Sequence, residues 1–325
     1  MQPLSKYGHS LLKIPVRISS PVDPSFLWTG RFLGDYVSLD QPPSSPLPNL
    51  HIIARTHSLG EPDISLSFNV LHCGSGWAYI TPGAGEVLTA PATFFSHWSY
   101  NLERLFGFAI SHAFARQGGA IMHGAAFELD RQGVLVLGLS HGGKSTLSAL
   151  ALRVGARVVS DDTLLASRDQ EGHMRVEALR ENLYLREPTQ TLLPDALQAG
   201  LRPASFRGEH RWVLDRSSAA SFTRSVRPST VLCTTIDRRL KATQVRPMAK
   251  ADVLTELMRA SSPLFLSPRY PVERAAMLPV LMGLAMSTSG FRVRLGQDLL
   301  ANPDATFRRL LDATGDRGEF DDSEF

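Results

Sequence analysis

Apolar and polar positions alternate in short runs over the first hundred residues. "HIIARTH", "ISLSFNVLHC" and "WAYITPG" read as half-buried strands, and "QPPSSPLP", "GEPD" and "PGAGE" punctuate them as turns. The period lengthens at Tyr100. In "YNLERLFGFAISHAFARQ", Leu102, Leu105, Phe106, Ala109 and Ile110 fall at helical spacing, and Gly118-Gly119 provides a stop. A strand ("AIMHGAAFEL"), a turn ("DRQG"), a second strand ("VLVLG"), a glycine-rich loop, a helix over about Lys144 to Val154 and a third strand ("ARVVSDD") follow. Strand, helix, strand in so short a span predicts a parallel crossover unit, hence an α/β sheet. Further on, "LLASRD" and "MRVEAL" predict a hairpin around "QEG", and "RPSTVLCTTIDRR" a buried strand. "AKADVLTELMRA" and "PVERAAMLPVLMGLAMST" predict helices, the second kinked at Pro279. The tail "GDRGEFDDSEF" is acidic and patternless, so disorder is expected there.

Composition narrows the function classes. With 325 residues and 43% hydrophobic content the chain can bury a large core in one or two domains. A net charge of +3, with both signs interleaved, gives no basic stripe for nucleic acid. Cys73 and Cys233 are isolated, which implies neither a disulfide framework nor a structural zinc site. The first residues lack a basic start followed by an apolar run, and the stretch Ala275 to Met286 is too short to span a bilayer. A cytosolic protein without a membrane span is therefore expected.

Lysine is scarce: five of the 34 basic residues are Lys, and one stands in the loop of "VLVLGLSHGGKST". Gly138, Gly143, Lys144 and Ser145 satisfy the spacing G-x-x-x-x-G-K-S/T. A loop leaving a strand must curl so that successive backbone N–H groups face phosphate oxygens, and glycines permit that path. The following helix offers its positive end to the same anion. On this reading Gly138, Ser140, Gly142, Gly143, Lys144, Ser145 and Thr146 form the cradle. Lys144 reaches the β and γ phosphates, and the Ser145 hydroxyl ligates Mg²⁺. His141 stands in the same loop and is assigned no role.

Asp161 and Asp162 end the third strand, on the side of a sheet where nucleotides bind. One carboxylate there can hold Mg²⁺ against Ser145, and the other can accept a proton from an incoming hydroxyl. His123, in "IMHG", ends the first strand; a lone histidine there is most often structural.

The segment "IMHGAAFELDRQGVLVLGLSHGGKSTLSALALRVGARVVSDD" resembles the catalytic core of HPr kinase/phosphorylase, in which an "HG" strand, the phosphate loop and an "ADD" or "SDD" pair come in this order. It is closer still to the HPr-kinase-like proteins of lasso-peptide biosynthesis, whose loop often ends G-K-S-T-L. The resemblance covers about Gly119 to Leu165. It implies a P-loop nucleotide-binding sheet of the HPr kinase/phosphoenolpyruvate carboxykinase type, preceded by a β-rich region. It also implies that Asp161 is the catalytic base, that Asp162 supports the metal or the base, and that His123 orients the γ-phosphate or the attacking group. The downstream Glu-x-Arg-Gly motif of HPr kinase is absent; "LRENLYLREP" offers Arg180, Glu181, Arg186 and Glu187 in another order.

The expected division is a β-rich region over 1–99 packing on the core, an ATP-binding catalytic domain over 100–314 and a tail over 315–325. The expected function is Mg-ATP-dependent phosphorylation of a serine hydroxyl on a peptide or protein, a lasso-type precursor peptide foremost. HPr or another protein serine, a small-molecule kinase and a non-catalytic ATP-binding regulator are the alternatives. A homo-oligomer is compatible with the sequence. Arg211, Arg216, Arg224 and Arg227 are the candidates for a cation that meets the transferring phosphoryl group.

Overall fold

The computed structural model describes residues 5–11, 14–20, 49–55, 69–73, 76–81, 85–91, 100–179, 182–206, 209–215, 221–261 and 271–315. The expected acidic tail lies outside them from residue 316 onward. The chain divides into two compact units, one of residues 1–121 with 262–277 and the other of 122–261 with 278–325.

The first unit carries a six-stranded mixed sheet of order β1-β2-β3-β6-β5-β4: β1 Ser5–Leu11, β2 Ile14–Ser20, β3 Asn49–Arg55, β4 Asn69–Cys73, β5 Gly76–Thr81 and β6 Gly85–Pro91. β2, β3 and β6 run parallel, and the outer strands return antiparallel. Helix α1 (Tyr100–Ala115) packs across β3, β4, β5 and β6. Its His112 is buried 3.3 Å from Glu273. Burial holds the His112 imidazole below its usual range, against the pull of the Glu273 carboxylate.

The second unit is built on a six-stranded sheet of order β10-β8-β9-β17-β19-β18. Its strands are β8 Ala125–Leu129, β9 Gln132–Leu137, β10 Arg157–Ser160, β17 Pro228–Ile236, β18 Gln244–Met248 and β19 Ser289–Leu295. β9, β17 and β19 are parallel neighbours, and all but the first residue of β9 are buried. That is why its sequence is a continuous apolar run: a central strand has a covered face on each side. α2 (Lys144–Arg153) leaves β9, covers β8 and β10, and buries Leu147, Leu150 and Leu152.

The crossover differs from the expectation in one respect. β10 does not pair with β9; β8 lies between them, antiparallel to both. β9 and β10 still point the same way, so their carboxyl ends reach one sheet edge, and the start of the reversed β8 is there too. The expected single strand "AIMHGAAFEL" is two, β7 (Ala120–His123) and β8, separated at Gly124.

A four-stranded sheet, β16-β12-β11-β7, holds the expected hairpin, β11 Thr163–Arg168 and β12 Met174–Ala178, with β16 Ser225–Val226. A three-stranded sheet, β13-β15-β14, comprises β13 Asn182–Leu185, β14 Arg202–Phe206 and β15 Glu209–Asp215. Short helices α3 (Glu187–Gln190) and α4 (Asp195–Gln198) join β13 to β14. The expected later helices are α5 (Lys250–Ala260) and α6 (Pro271–Ser287); α6 runs through Pro279. α7 (Asp298–Ala301) and α8 (Pro303–Gly315) close the chain. The core lies between the main sheet, α2 and α8, with the Phe127 and Phe307 rings 6.0 Å apart. Arg153 of α2 donates to Asp304 of α8 at 2.7 Å. Among the described residues, no helix is long and apolar enough to cross a membrane.

Candidate functional site

The loop between β9 and α2 is pressed against the end of β17. A Cβ on Gly138 would stand 2.6 Å from the Thr234 carbonyl oxygen, so only glycine fits there. Gly143, the residue before α2, has φ +97°, and a Cβ on it would meet Leu295 Cδ1 at 2.4 Å. Thr234 secures the contact: its hydroxyl donates to the Leu137 carbonyl at 3.1 Å. The glycines therefore serve two needs, a left-handed backbone and a close approach to two neighbouring strands.

Lys144 is the first residue of α2 and is 6% exposed. Its ammonium donates to the carbonyls of Gly138 (2.8 Å) and Leu139 (3.0 Å), folding back over the loop that precedes it. Burial pushes the ammonium below the usual lysine range, and the carboxylates of Asp162 and Asp161 pull it back up. Ser145 and Thr146 follow on the first turn, both part-exposed; Gly142 is buried and Ser140 exposed.

Asp161 and Asp162 form the turn from β10 to β11. Asp161 is 5% exposed. Asp162 is held on several sides. Its Oδ1 lies 3.1 Å from His123 Nδ1, its Oδ2 accepts from the Thr163 hydroxyl at 2.9 Å, and its carbonyl accepts from the Gly124 amide at 2.9 Å. The "HG" and "SDD" segments are thus stitched together, and the histidine orients a carboxylate. The antiparallel β8 makes this contact possible, because it begins, just after Gly124, at the edge where β9 and β10 end.

Comparison of the chain with protein-family models found no match. Comparison with curated proteins found none either.

The structure thus gathers His123, Lys144, Asp161 and Asp162 at one edge, next to the glycine loop. The arginine candidates fare differently. Arg227 precedes β17, where its carbonyl would lie 2.1 Å from a Cβ on Gly133 at the start of β9. That places it a strand length, roughly 15 Å, from the loop. It is bonded instead to Asp169 (2.8 Å) and Glu171 (2.7 Å). Arg211 lies on β15 opposite Ala204, and the Arg224 carbonyl accepts from Ala178 of β12. Arg216, Arg180 and Glu181 lie outside the described residues. Arg186, which was not among the candidates, does reach the loop: its Nη1 hydrogen-bonds His141 Nδ1 and lies 3.2 Å from Nε2. No local pattern marks it, since it stands 45 residues from its partner.

Proposed function

We propose that the chain is an ATP-dependent kinase, with a P-loop sheet of the HPr kinase/phosphoenolpyruvate carboxykinase-like type, that phosphorylates a serine hydroxyl on a peptide or protein. The observation that carries this reading is the meeting of a buried lysine in a glycine loop with two carboxylates at one sheet edge. A turn or helix cap has no need of a buried cation beside two acids; a phosphoryl-transfer site needs all three.

The residues fit Mg²⁺ and nucleotide. Ser145 and Asp162 offer the hard oxygen ligands that Mg²⁺ prefers, and His123 and Thr163 fix the Asp162 carboxylate from behind, as supporting groups do around metal ligands. When bound there, the metal would supply positive charge that neutralises the phosphates. The loop amides and Lys144 hold the β and γ phosphates, and Asp161 accepts the serine proton. The bond between the γ-phosphorus and the β–γ bridging oxygen breaks, a bond from that phosphorus to the serine oxygen forms, and ADP leaves. His123 acts through Asp162. The acceptor that the resemblance favours is a lasso-type precursor peptide. The test offers labelled ATP with HPr and a serine-terminated precursor peptide side by side. Transfer to the peptide is expected; efficient transfer to HPr and none to the peptide overturns the choice of acceptor, and no ATP binding at all overturns the kinase reading.

A further inference from the structure

Phosphoryl transfer spreads negative charge over three equatorial oxygens, and a cation beyond the loop lysine usually meets it. Lys144 is turned inward onto two loop carbonyls. Arg227 is engaged with Asp169 and Glu171 at the far end of the strands. Arg186 is differently mounted. Its neighbours Leu183 and Leu185 are buried in the core, and its carbonyl accepts from the amides of Thr189 (2.9 Å) and Gln190 (3.1 Å). A fixed backbone thus carries the guanidinium to an exposed contact at the rim of the loop.

Its partner is unusual as well. His141 has φ +64°, a left-handed conformation that strains a residue bearing a Cβ and that glycine would adopt freely. Strain kept at a site signals a side chain that is wanted there. The imidazole is the group that Arg186 touches.

Resting on the kinase reading, we propose that Arg186 binds the transferring phosphoryl group, and that His141 is its positioning residue, latching the guanidinium at the loop. An imidazole nitrogen without a proton accepts from Nη1. A guanidinium has five N–H donors in a planar fork suited to phosphate oxygens, and the contact with His141 engages one of its nitrogens.

The experiment needs no acceptor. Mg-ADP is titrated calorimetrically with and without aluminium fluoride, which mimics the transferring phosphoryl group. Wild-type protein is expected to bind Mg-ADP and to bind it more tightly with the fluoride. Arg186→Ala is expected to keep Mg-ADP affinity within about threefold while losing most of the fluoride gain, roughly 10²-fold or more, and Arg186→Lys to restore little of it. His141→Gly relieves the backbone and should not lower the melting temperature, yet should lose about tenfold of the gain. His141→Asn, which tolerates the same backbone and offers an acceptor, should retain it. Equal losses with and without fluoride in Arg186→Ala overturn the assignment, as does a wild type in which fluoride adds nothing. If His141→Gly matches wild type, the latch is overturned. If wild-type protein fails to bind Mg-ADP, the kinase reading falls and takes this proposal with it.

Discussion

The two ends of strands β9 and β17 each carry a cluster of charge, and the clusters are built on opposite principles. At the carboxyl ends, Lys144 is buried, bonded to backbone carbonyls, and shares its surroundings with Asp161 and Asp162. At the amino ends, Arg227 is 56% exposed and bonded to Asp169 and Glu171. The ligand atoms of Asp169, Glu171 and His173 lie within 4.8 Å of one another, and Arg227 is already bonded to both acids. Partial desolvation nudges Asp169 upward; the His173 amide and Arg227 outweigh it and hold its carboxyl below the usual range. Exposed pairs of this kind contribute little and are screened by salt. A desolvated ammonium, in contrast, is maintained against its own hydration, which a fold sustains where the charge has work to do.

The sharpest way to break the comparison is Asp161→Asn. Phosphoryl transfer should fall roughly 10²–10⁴-fold while ATP affinity stays within a few fold, the usual share of a positioned base. Transfer near the wild-type rate would move the base to another acid. Lys144→Ala comes next. Losing a charge-assisted contact to phosphate should cost about 2–3 kcal/mol or more of ATP binding, read by calorimetric titration. Unchanged affinity would remove the loop from the site.

The same lysine gives a smaller effect on stability, with a defined sign. Its folded pKa lies below the ordinary lysine value of 10.5, so between the two the unfolded chain binds more protons and stability rises with pH. Below that window the protonated lysine burdens the fold. Lys144→Met should therefore melt no lower than wild type at neutral pH, and the difference between them should move against the variant as pH approaches 10.5. Thermal scans across pH 7 to 11 check this, and a wild type that loses ground to the variant as pH rises would reverse the sign. Arg227→Ala should have the least effect: a melting shift of no more than about 2 °C in dilute buffer, vanishing in about 1 M salt. A large, salt-independent loss would make the two ends alike after all.

Local chemistry was legible in the sequence, and long-range assembly was not. The strand–loop–helix unit around Lys144 could be read because a continuous apolar run, a glycine pattern and a helical period adjoin one another. The Leu164–Ala178 pairing of β11 with β12 is the expected hairpin for the same reason. The insertion of β8 between β9 and β10 left no such mark, since alternation fixes a strand's faces and not its neighbour. Cys233 in β17 pairs with Leu137 on one side and Arg292 on the other, partners from distant segments. The contact of Arg186 with His141 was equally invisible, because it depends on where β13 and α3 come to rest.

The order of strands in the main sheet has a consequence for synthesis. β9 ends at Leu137, and its parallel neighbour β17 begins at Pro228, about 90 residues later. At a synthesis rate of about 5–20 residues per second, the nascent chain waits on the order of 5–20 s with one side of β9 unpaired. The residues displayed along that open side, Val134 to Leu137, are apolar and destined for the centre of the sheet, and an open edge of that kind recruits other strands. A chain stopped after Asp215 should aggregate while one completed through β19 does not, so the strand that carries the glycine loop also needs shielding before its partner emerges.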